Sequence, residues 1–195
     1  MAVSDIVDIE VWLPSDIDYA PYPLTERINR LGIPVKLQDL PVLRRAYRNV
    51  GGAFATLIRL VRIVRRLYSV KPDVIYANTS AMALLACCAR LLRIRAIFHL
   101  HEHLSGIDRS ISAVAAYASQ ATIAVSEDVA ATLPAHVQST TRVVYNGFGI
   151  DDTLGREYKT TDSDDIVFVL ASRWNSWKGH ETILKAWKDA ARRDS

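Results

Sequence analysis

The amino-acid sequence predicts an α/β protein with a Rossmann-like, doubly wound and mostly parallel sheet. Short runs rich in Val and Ile predict strands at residues 7–13, 34–40, 73–78, 95–102, 121–126, 142–145 and 166–172. Helical patterns alternate with them at residues 24–31, 50–68, 81–92, 110–119, 127–133 and 181–192. Nearly continuous apolar strands are typical of sheets that are buried on both faces, and helices between parallel strands form right-handed crossovers.

Composition and charge indicate a soluble protein that does not bind nucleic acid. The chain has 195 residues, of which 50% are hydrophobic and 23% are charged, with a formal net charge of only +3. No run approaches the ~18 apolar residues of a membrane span, and the N-terminus lacks a signal pattern. We therefore expect a cytoplasmic protein. Cys87 and Cys88 are adjacent in a helical pattern, which favours two buried thiols over a disulfide or a metal site.

A polar, charged segment at residues 151–165 interrupts the alternation of strands and helices. It has no apolar periodicity, and a new strand-like run follows it directly. We interpret this segment as a linker between a domain at residues 1–150 and the start of a second domain at residues 166–195.

The loop after the last predicted strand combines two cations with a helix start. Arg173 and Lys178 lie in this loop, and a helical pattern begins shortly after Gly179. A helix start offers unpaired N–H groups and the positive end of the helix dipole, so this loop is a candidate phosphate site. The alternative is a surface arginine and a surface lysine with no ligand.

Five short motifs follow one another along the chain. Three of them end predicted strands: Lys71-Pro72-Asp73-Val74-Ile75-Tyr76-Ala77-Asn78, His99-Leu100-His101-Glu102 and Ile123-Ala124-Val125-Ser126-Glu127. The others are Val144-Tyr145-Asn146-Gly147 with Ile150-Asp151, and Ala171-Ser172-Arg173 with Trp177-Lys178-Gly179. In this order and spacing the motifs resemble the glycosyltransferases of family 4 over nearly the whole chain.

The resemblance implies a two-domain GT-B enzyme that needs no metal or other cofactor. Such an enzyme transfers a hexosyl group from a nucleotide diphosphate sugar to a glycan or lipid-linked acceptor, and it retains the anomeric configuration. The resemblance also implies that Arg173 and Lys178 hold the donor diphosphate. Cations suit this role because negative charge builds up on the departing diphosphate.

The same resemblance implies that His101 assists at the reacting centre and that Glu102 lies on the acceptor side. His99, His101 and His103 alternate along the chain, so strand geometry would place them on one face. This spacing allows a metal site, but no distant set of ligands completes it. We therefore expect no metal, and structural roles for His99 and His103.

Four further residues are candidates for lining the cleft, and each has a structural alternative. Asn78 and Ser126 end predicted strands, and the segments Asn78-Thr79-Ser80 and Ser126-Glu127 also suit helix N-caps. Asn146 and Gly147 tolerate positive φ, so they could simply turn the chain out of a strand.

The positive charge is concentrated in one predicted helix, which carries Arg59, Arg62, Arg65 and Arg66 beside an apolar stripe. The simple interpretation is a solvated face above a buried one. A basic amphipathic helix can also lie on an anionic membrane, which would place the protein at the inner membrane face.

Two departures from the family affect the interpretation. The strand at residues 7–13 resembles the family's second strand, and the family's paired-glutamate motif does not occur in the sequence. We therefore expect a first domain without its first βα unit and a truncated second domain. A different class of function, a non-catalytic binding module that needs a partner chain, stays open.

Overall fold

The structure is a computed structural model, and it describes residues 6–17, 24–44, 49–147, 167–172 and 178–191, except the side chain of residue 191. The chain divides into two compact units, Met1–Phe148 and Gly149–Ser195. The predicted linker at residues 151–165 lies outside the described residues, so its assignment stays a prediction. No helix that the structure describes is long and apolar enough to cross a membrane.

Strands and helices alternate through the first unit, as the sequence predicts. The strands are β1 Val11–Pro14, β2 Val35–Gln38, β3 Val74–Ala77, β4 Arg95–Leu100, β5 Ala121–Ala124 and β6 Arg142–Val143. The helices are α1 Leu24–Arg30, α2 Val50–Val70, α3 Ala83–Leu91, α4 Gly106–Ala118, α5 Glu127–Ala131 and α6 Ala135–Gln138, with a 3₁₀ turn at Ser80–Met82. In the second unit the structure describes α7, His180–Ala191.

All described strand pairs are parallel, which confirms the predicted α/β class. The strands form two sheets, however, where the sequence predicted one: β1 pairs with β2, and the other sheet has the order β3-β4-β5-β6. Among the described residues no strand joins β1 to β3. The segment after β2 is nonetheless tied to the larger sheet's helices, because the Leu43 N–H donates to the Ala81 carbonyl at 2.9 Å.

The core lies between the four-stranded sheet and the helices that cover one of its faces. Small residues of α3 and α4, including Ala86, Ala89 and Ala115, let these helices approach the sheet closely, and all three are fully buried. From the sheet side, Phe98 and Leu100 of β4 are fully buried in the same cluster. Since side chains alternate along a strand, these residues define the covered face.

The other face of the four-stranded sheet is open among the described residues. We call it the open face; it carries Val74, Tyr76, Ile97, His99, Ile123 and Val144, by strand register. Val74, Tyr76 and Val144 are 43%, 51% and 53% exposed. The expectation of strands buried on both faces is therefore wrong for this sheet, because the helices packed in its core cluster lie on one side.

Helix α2 has well-defined ends. The side chain of Asn49 accepts a hydrogen bond from the Gly52 N–H at 2.7 Å, which satisfies one of the free N–H groups of the first turn. At the other end Lys71 has a left-handed conformation with φ of 49°, and its N–H donates to the Leu67 carbonyl. Pro72 follows and cannot continue the helix.

The predicted strand at residues 166–172 is wrong over its described part, because residues 167–172 form no strand. Strands need a neighbour for their backbone hydrogen bonds, and none is described here. The following helix is confirmed: α7 begins at His180, one residue before the predicted start. Within this unit, the ring of Phe168 contacts that of Trp187 at 5.7 Å between centroids.

Candidate functional site

Polar side chains meet where β3 and β4 end. Asn78 directly follows β3, and His101 and Glu102 directly follow β4. Because β3 and β4 are parallel neighbours, their carboxyl ends reach the same edge of the sheet. Ligands of parallel α/β sheets bind at this edge, so the fold brings these three predicted site residues together.

His101 and Asn78 are in direct contact at this edge. His101 Nε2 lies 3.0 Å from Asn78 Oδ1, and both residues are exposed. The Asn78 amide thus engages Nε2 of the His101 ring. The other ring nitrogen, Nδ1, has no hydrogen-bond partner within the described ranges. The imidazole therefore keeps one nitrogen for a ligand.

His99 lies two residues earlier on the same face as His101, with ring centroids 4.2 Å apart. Its Nδ1 is 2.6 Å from the Tyr76 hydroxyl, and the two rings meet edge to face. Burial, and then the nearby His101, lower the pKa of His99 despite an opposing effect of Glu102. Burial also raises the pKa of Tyr76, so both side chains are neutral at pH 7.

Glu102 has its carboxylate oxygens engaged by its own neighbours. Oε1 accepts from the Thr79 hydroxyl at 2.7 Å, and Oε2 accepts from the N–H groups of Ser80 at 3.2 Å and His101 at 3.4 Å. Burial raises the pKa of Glu102, but these hydrogen bonds outweigh it and the net shift is downward. The ionised carboxylate thus ties the end of β4 to the turn after β3.

The helix-cap alternatives are decided by the hydrogen bonds. For Asn78-Thr79-Ser80 the capping interpretation is confirmed at Thr79, which caps the 3₁₀ turn by accepting from the Ala81 N–H at 3.3 Å. For Ser126 it is confirmed, because its hydroxyl accepts from the Val129 N–H at 3.2 Å at the start of α5. A ligand role for Ser126 stays a prediction.

Asn146 and Gly147 are exposed and follow β6. The interpretation that they turn the chain through positive φ is wrong, since neither is among the residues with positive φ. A Cβ atom added to Gly147 would meet no atom within 4 Å. The backbone therefore has no need of glycine at this position, and its role in the cleft stays a prediction.

The predicted donor loop lies in the second unit, and only part of it is described. Arg173 lies outside the described residues. Lys178 is exposed and precedes Gly179, whose φ of +75° suits glycine at the start of α7. Ser172 Oγ lies 3.0 Å from His180 Nε2, which connects the two ends of the loop.

No group of three metal-binding side chains occurs among the described residues. His103 does not join His99 and His101; its Nε2 lies 4.0 Å from a carboxylate oxygen of Asp128. The strand ends at Leu100, so His103 no longer follows the alternation that would place it on the same face. The proposed alignment of all three histidines is therefore wrong.

Two open cavities border the sheet at opposite ends. A cavity of about 220 Å³ lies beside Glu102 and is lined by Ser80, His103, Ser105 and Asp108 among others. A larger cavity of about 400 Å³ lies at the amino ends of β3 and β4, where Lys71, Arg93 and Arg95 line it. Only the smaller one is at the carboxyl edge where His101 and Asn78 lie.

Sequence reasoning missed the role of Tyr76, and it named Thr79 only as part of a helix cap, without its hydrogen bond to Glu102. The signal for Tyr76 was its spacing: it precedes Asn78 by two residues, so alternation along β3 places both on the face of His99 and His101.

A parallel α/β unit with convergent polar groups at its carboxyl edge defines a class of ligand-binding proteins. Within that class, the family model of Glycosyltransferase Family 4 matches residues 10–152. The chain belongs to this family. A comparison with the curated proteins gave no match.

The solved structures that resemble the chain include MurG of Acinetobacter baumannii. The sequence identity is 18% and the TM-score is 0.43. The similarity covers 65% of this chain, and the chain spans only 35% of the MurG chain.

Proposed function

We propose that this protein acts in the transfer of a hexosyl group from a nucleotide diphosphate sugar to a glycan or lipid-linked acceptor. One observation carries the proposal: in a chain of glycosyltransferase family 4, His101 and Asn78 are paired at the carboxyl edge of the parallel sheet, 3.0 Å apart. His101 Nδ1 is available to a hydroxyl group of the donor sugar near the reacting carbon.

The second part of the proposal concerns the leaving group. When the bond between sugar and phosphate breaks, negative charge grows on the departing nucleotide diphosphate. Arg173 and Lys178 supply positive charge for it, together with the N–H groups at the start of α7. With these cations the reaction needs no metal, and it proceeds with retention of configuration.

The test is nucleotide release by the full chain. The purified protein is titrated with uridine and guanosine diphosphate sugars, with and without a lipid-linked acceptor and with EDTA in a parallel series. We expect saturable binding and release that EDTA does not change. Absence of binding and turnover with every donor would overturn the proposal, and loss of activity in EDTA would overturn its metal-free form.

Substitutions in the donor loop test the role of the cations. Arg173→Ala and Lys178→Ala should each lower turnover by about two orders of magnitude, the scale seen when a charge-stabilising donor is removed. Lys185→Ala, at an exposed position of α7, is the matched control and should leave turnover unchanged. Near-normal rates in the first pair would contradict the donor assignment.

The open face favours a second candidate function, a binding module that needs a partner chain. Its apolar residues Val74, Tyr76 and Val144 are about half exposed, an arrangement typical of surfaces that become covered. In this alternative His101 positions a ligand without turnover. Donor binding without nucleotide release, in the assay above, would favour it.

We also propose that the protein is cytoplasmic and contacts anionic membranes through α2. Phe54, Leu57 and Val61 lie on one side of this helix and are 64%, 55% and 45% exposed. Exposed arginines flank them, although Arg62 is paired with Asp39 at 2.6 Å. An apolar stripe with basic flanks suits the boundary of anionic lipids.

Vesicle co-sedimentation tests this contact. Vesicles that contain phosphatidylglycerol should bind the protein, and vesicles of phosphatidylcholine alone should bind it less. Leu57→Gln should weaken binding, whereas Val114→Gln, on the exposed side of α4, should not. Equal binding to both vesicle types would contradict the proposal.

A further inference from the structure

A second polar pair, Tyr76 and His99, lies on β3 and β4 two residues before Asn78 and His101. The proposed function does not use it. The register of β3 and β4 sets Tyr76 opposite Ile97, so His99 is the next residue of β4 on the same face. The Tyr76 hydroxyl reaches His99 Nδ1 at 2.6 Å, and the rings pack edge to face at 80°. Tyr76 thus holds the His99 ring from the side of β3.

The two ring nitrogens of His99 differ in their surroundings, and the tautomer depends on this difference: Nδ1 has the Tyr76 hydroxyl as a partner. Nε2 is buried and has no hydrogen-bond partner among the described residues. A buried N–H group without an acceptor is less favourable than a buried lone pair. His99 therefore carries its proton on Nδ1 and donates it to the Tyr76 oxygen, which is the opposite tautomer from the one that free histidine prefers.

The surroundings keep His99 neutral. Tyr76 faces it from β3, and the nearest residue of β5 by register is the apolar Ile123. Burial disfavours a positive charge on His99, the nearby His101 adds to this effect, and Glu102 opposes it only partly. Protonation would also create a second buried N–H group, at Nε2, without an acceptor.

We propose that Tyr76 and His99 are positioning residues for His101, with Tyr76 fixing the His99 tautomer and the neutral His99 ring holding the His101 imidazole in place. The His99 and His101 rings lie 4.2 Å apart at 44°, so His99 limits the rotation of its neighbour. Asn78 binds Nε2 of His101 from the other side. Together they leave Nδ1 of His101 as the nitrogen that faces a ligand. The inference rests on the proposed function in treating His101 as the group beside the donor sugar.

The test is the tautomeric state of both histidines in the ¹⁵N-labelled full chain. Long-range ¹H–¹⁵N correlation spectra of the imidazoles distinguish Nδ1–H from Nε2–H, and His99→Gln and His101→Gln assign the signals. We expect the Nδ1–H form for His99 and the Nε2–H form for His101. An Nε2–H form of His99 in the unmodified protein would overturn the proposal without any variant.

Tyr76→Phe removes only the hydroxyl from a half-exposed side chain. We expect the Nδ1–H signal of His99 to give way to the Nε2–H form and the His101 signals to shift. Tyr117→Phe, at an 80% exposed position of α4, is the matched control and should leave both histidines unchanged. Unchanged His101 signals in a folded Tyr76→Phe protein would refute the positioning role.

The spectra separate this inference from the proposed function. If the protein releases nucleotide, Tyr76→Phe should also lower kcat by about tenfold or more with little change in KM, because the imidazole would lose its orientation. If no donor is turned over but the tautomers are as expected, the proposed function fails and the positioning of His101 stands. If turnover occurs but His99 is in the Nε2–H form, the positioning of His101 is refuted and the proposed function stands.

Discussion

Glu102 links the candidate site to the stability of the sheet. Its hydrogen bonds reach Thr79, Ser80 and the backbone of His101, so one side chain joins the ends of two neighbouring strands. The sequence interpretation placed it at the acceptor. Its oxygens already accept hydrogen bonds within the protein, which suits a residue that shapes the edge on which Asn78 and His101 lie.

Glu102→Gln should lower the free energy of unfolding by about 1 kcal/mol at pH 7, because the side chain is exposed and its charge-assisted bonds are weakened by solvent. The lowered pKa of Glu102 sets the pH dependence. Its contribution is complete above the unfolded carboxyl pKa of about 4.3 and is lost as pH falls through the folded pKa. Urea unfolding at pH 7 and at acidic pH measures both effects.

Glu127→Gln is the matched control for this experiment. Glu127 is exposed in the first turn of α5. Loss of its charge there should lower the free energy of unfolding by only about 0.3 kcal/mol. The wild type and Glu102→Gln should differ less in their free energy of unfolding at acidic pH than at pH 7. If this difference stayed constant, Glu102 would not be an ionised, hydrogen-bonded carboxylate.

The sequence located the ends of β3 and β4 as the site, but it could not define the contacts there. Asn78 was named because it ends a predicted strand, and His101 because the family resemblance places a histidine near the carboxyl end of the next one. Their pairing depends on the register of β3 against β4, which is set by the packing of residues such as Phe98 and Leu100 in the core. The His99–Tyr76 contact depends on the same register, so the sequence left His99 as a structural histidine only.

At the scale of elements, α2 is bound to the two-stranded sheet by a network of charges. Arg59 contacts Asp16 at 3.0 Å and Asp39 at 2.8 Å, and these carboxylates follow β1 and β2 respectively. Arg44 and Arg62 join the same carboxylates at 2.6 Å. Part of the predicted basic surface of α2 is therefore neutralised within the protein.

Arg59→Met should lower the free energy of unfolding by about 2 kcal/mol, since it leaves two partly buried carboxylates with fewer partners while the apolar stem is kept. The Arg59 side chain is only 17% exposed. Arg65→Met, at an exposed position of the same helix, should change stability by less than about 0.5 kcal/mol. Equal effects of the two substitutions would show that the network contributes nothing. High salt should reduce the Arg59 effect.

The start of α2 depends on its cap. Asn49→Ala should destabilise the protein by about 1 kcal/mol, because the Gly52 N–H loses its acceptor. Ser69→Ala, an exposed position near the end of α2, is the control and should be close to neutral. Thermal unfolding followed by circular dichroism measures both. A neutral Asn49→Ala variant would mean that the first turn of α2 does not contribute to cooperative unfolding.

The sequence predicted most elements, and its errors have local causes. It began α4 at residue 110, whereas the helix starts at Gly106 after the N-cap residue Ser105. A weak signal was present, since Ser105 is a residue type that is common at N-caps, but its side chain makes no capping hydrogen bond. Helix α6 was missed because its four residues are too few for an apolar period.

At the scale of the whole molecule, the sheet of β1 and β2 and the sheet of β3 to β6 belong to one compact unit. The sequence cannot distinguish this from a single sheet, because apolar strand patterns do not specify which strands become neighbours. Each of β1 and β3 has one edge that pairs with no described strand. A two-stranded sheet is only marginally stable by itself, so the two parts should differ in local stability.

Amide hydrogen exchange measures the difference in local stability between the two sheets. Four backbone amides suit this comparison because all of them are hydrogen-bonded. In the smaller sheet, the Val11 N–H donates to Pro34 and the Ser15 N–H to Gln38, both at 2.9 Å. In the larger sheet, the Gln120 N–H donates to Ala96 at 2.8 Å and the Val125 N–H to Leu100 at 3.1 Å. Since these bonds are alike, their exchange rates report the stability of the surrounding structure.

We expect Val11 and Ser15 to exchange on the order of tenfold faster, or more, than Gln120 and Val125. The reason is burial: β4 contributes the fully buried Phe98 and Leu100, whereas every residue of β1 is only half-buried. Exchange under low denaturant, followed by NMR, separates local opening from global unfolding. Equal rates would mean that both sheets open together, as one continuous sheet would, and would contradict the division into two.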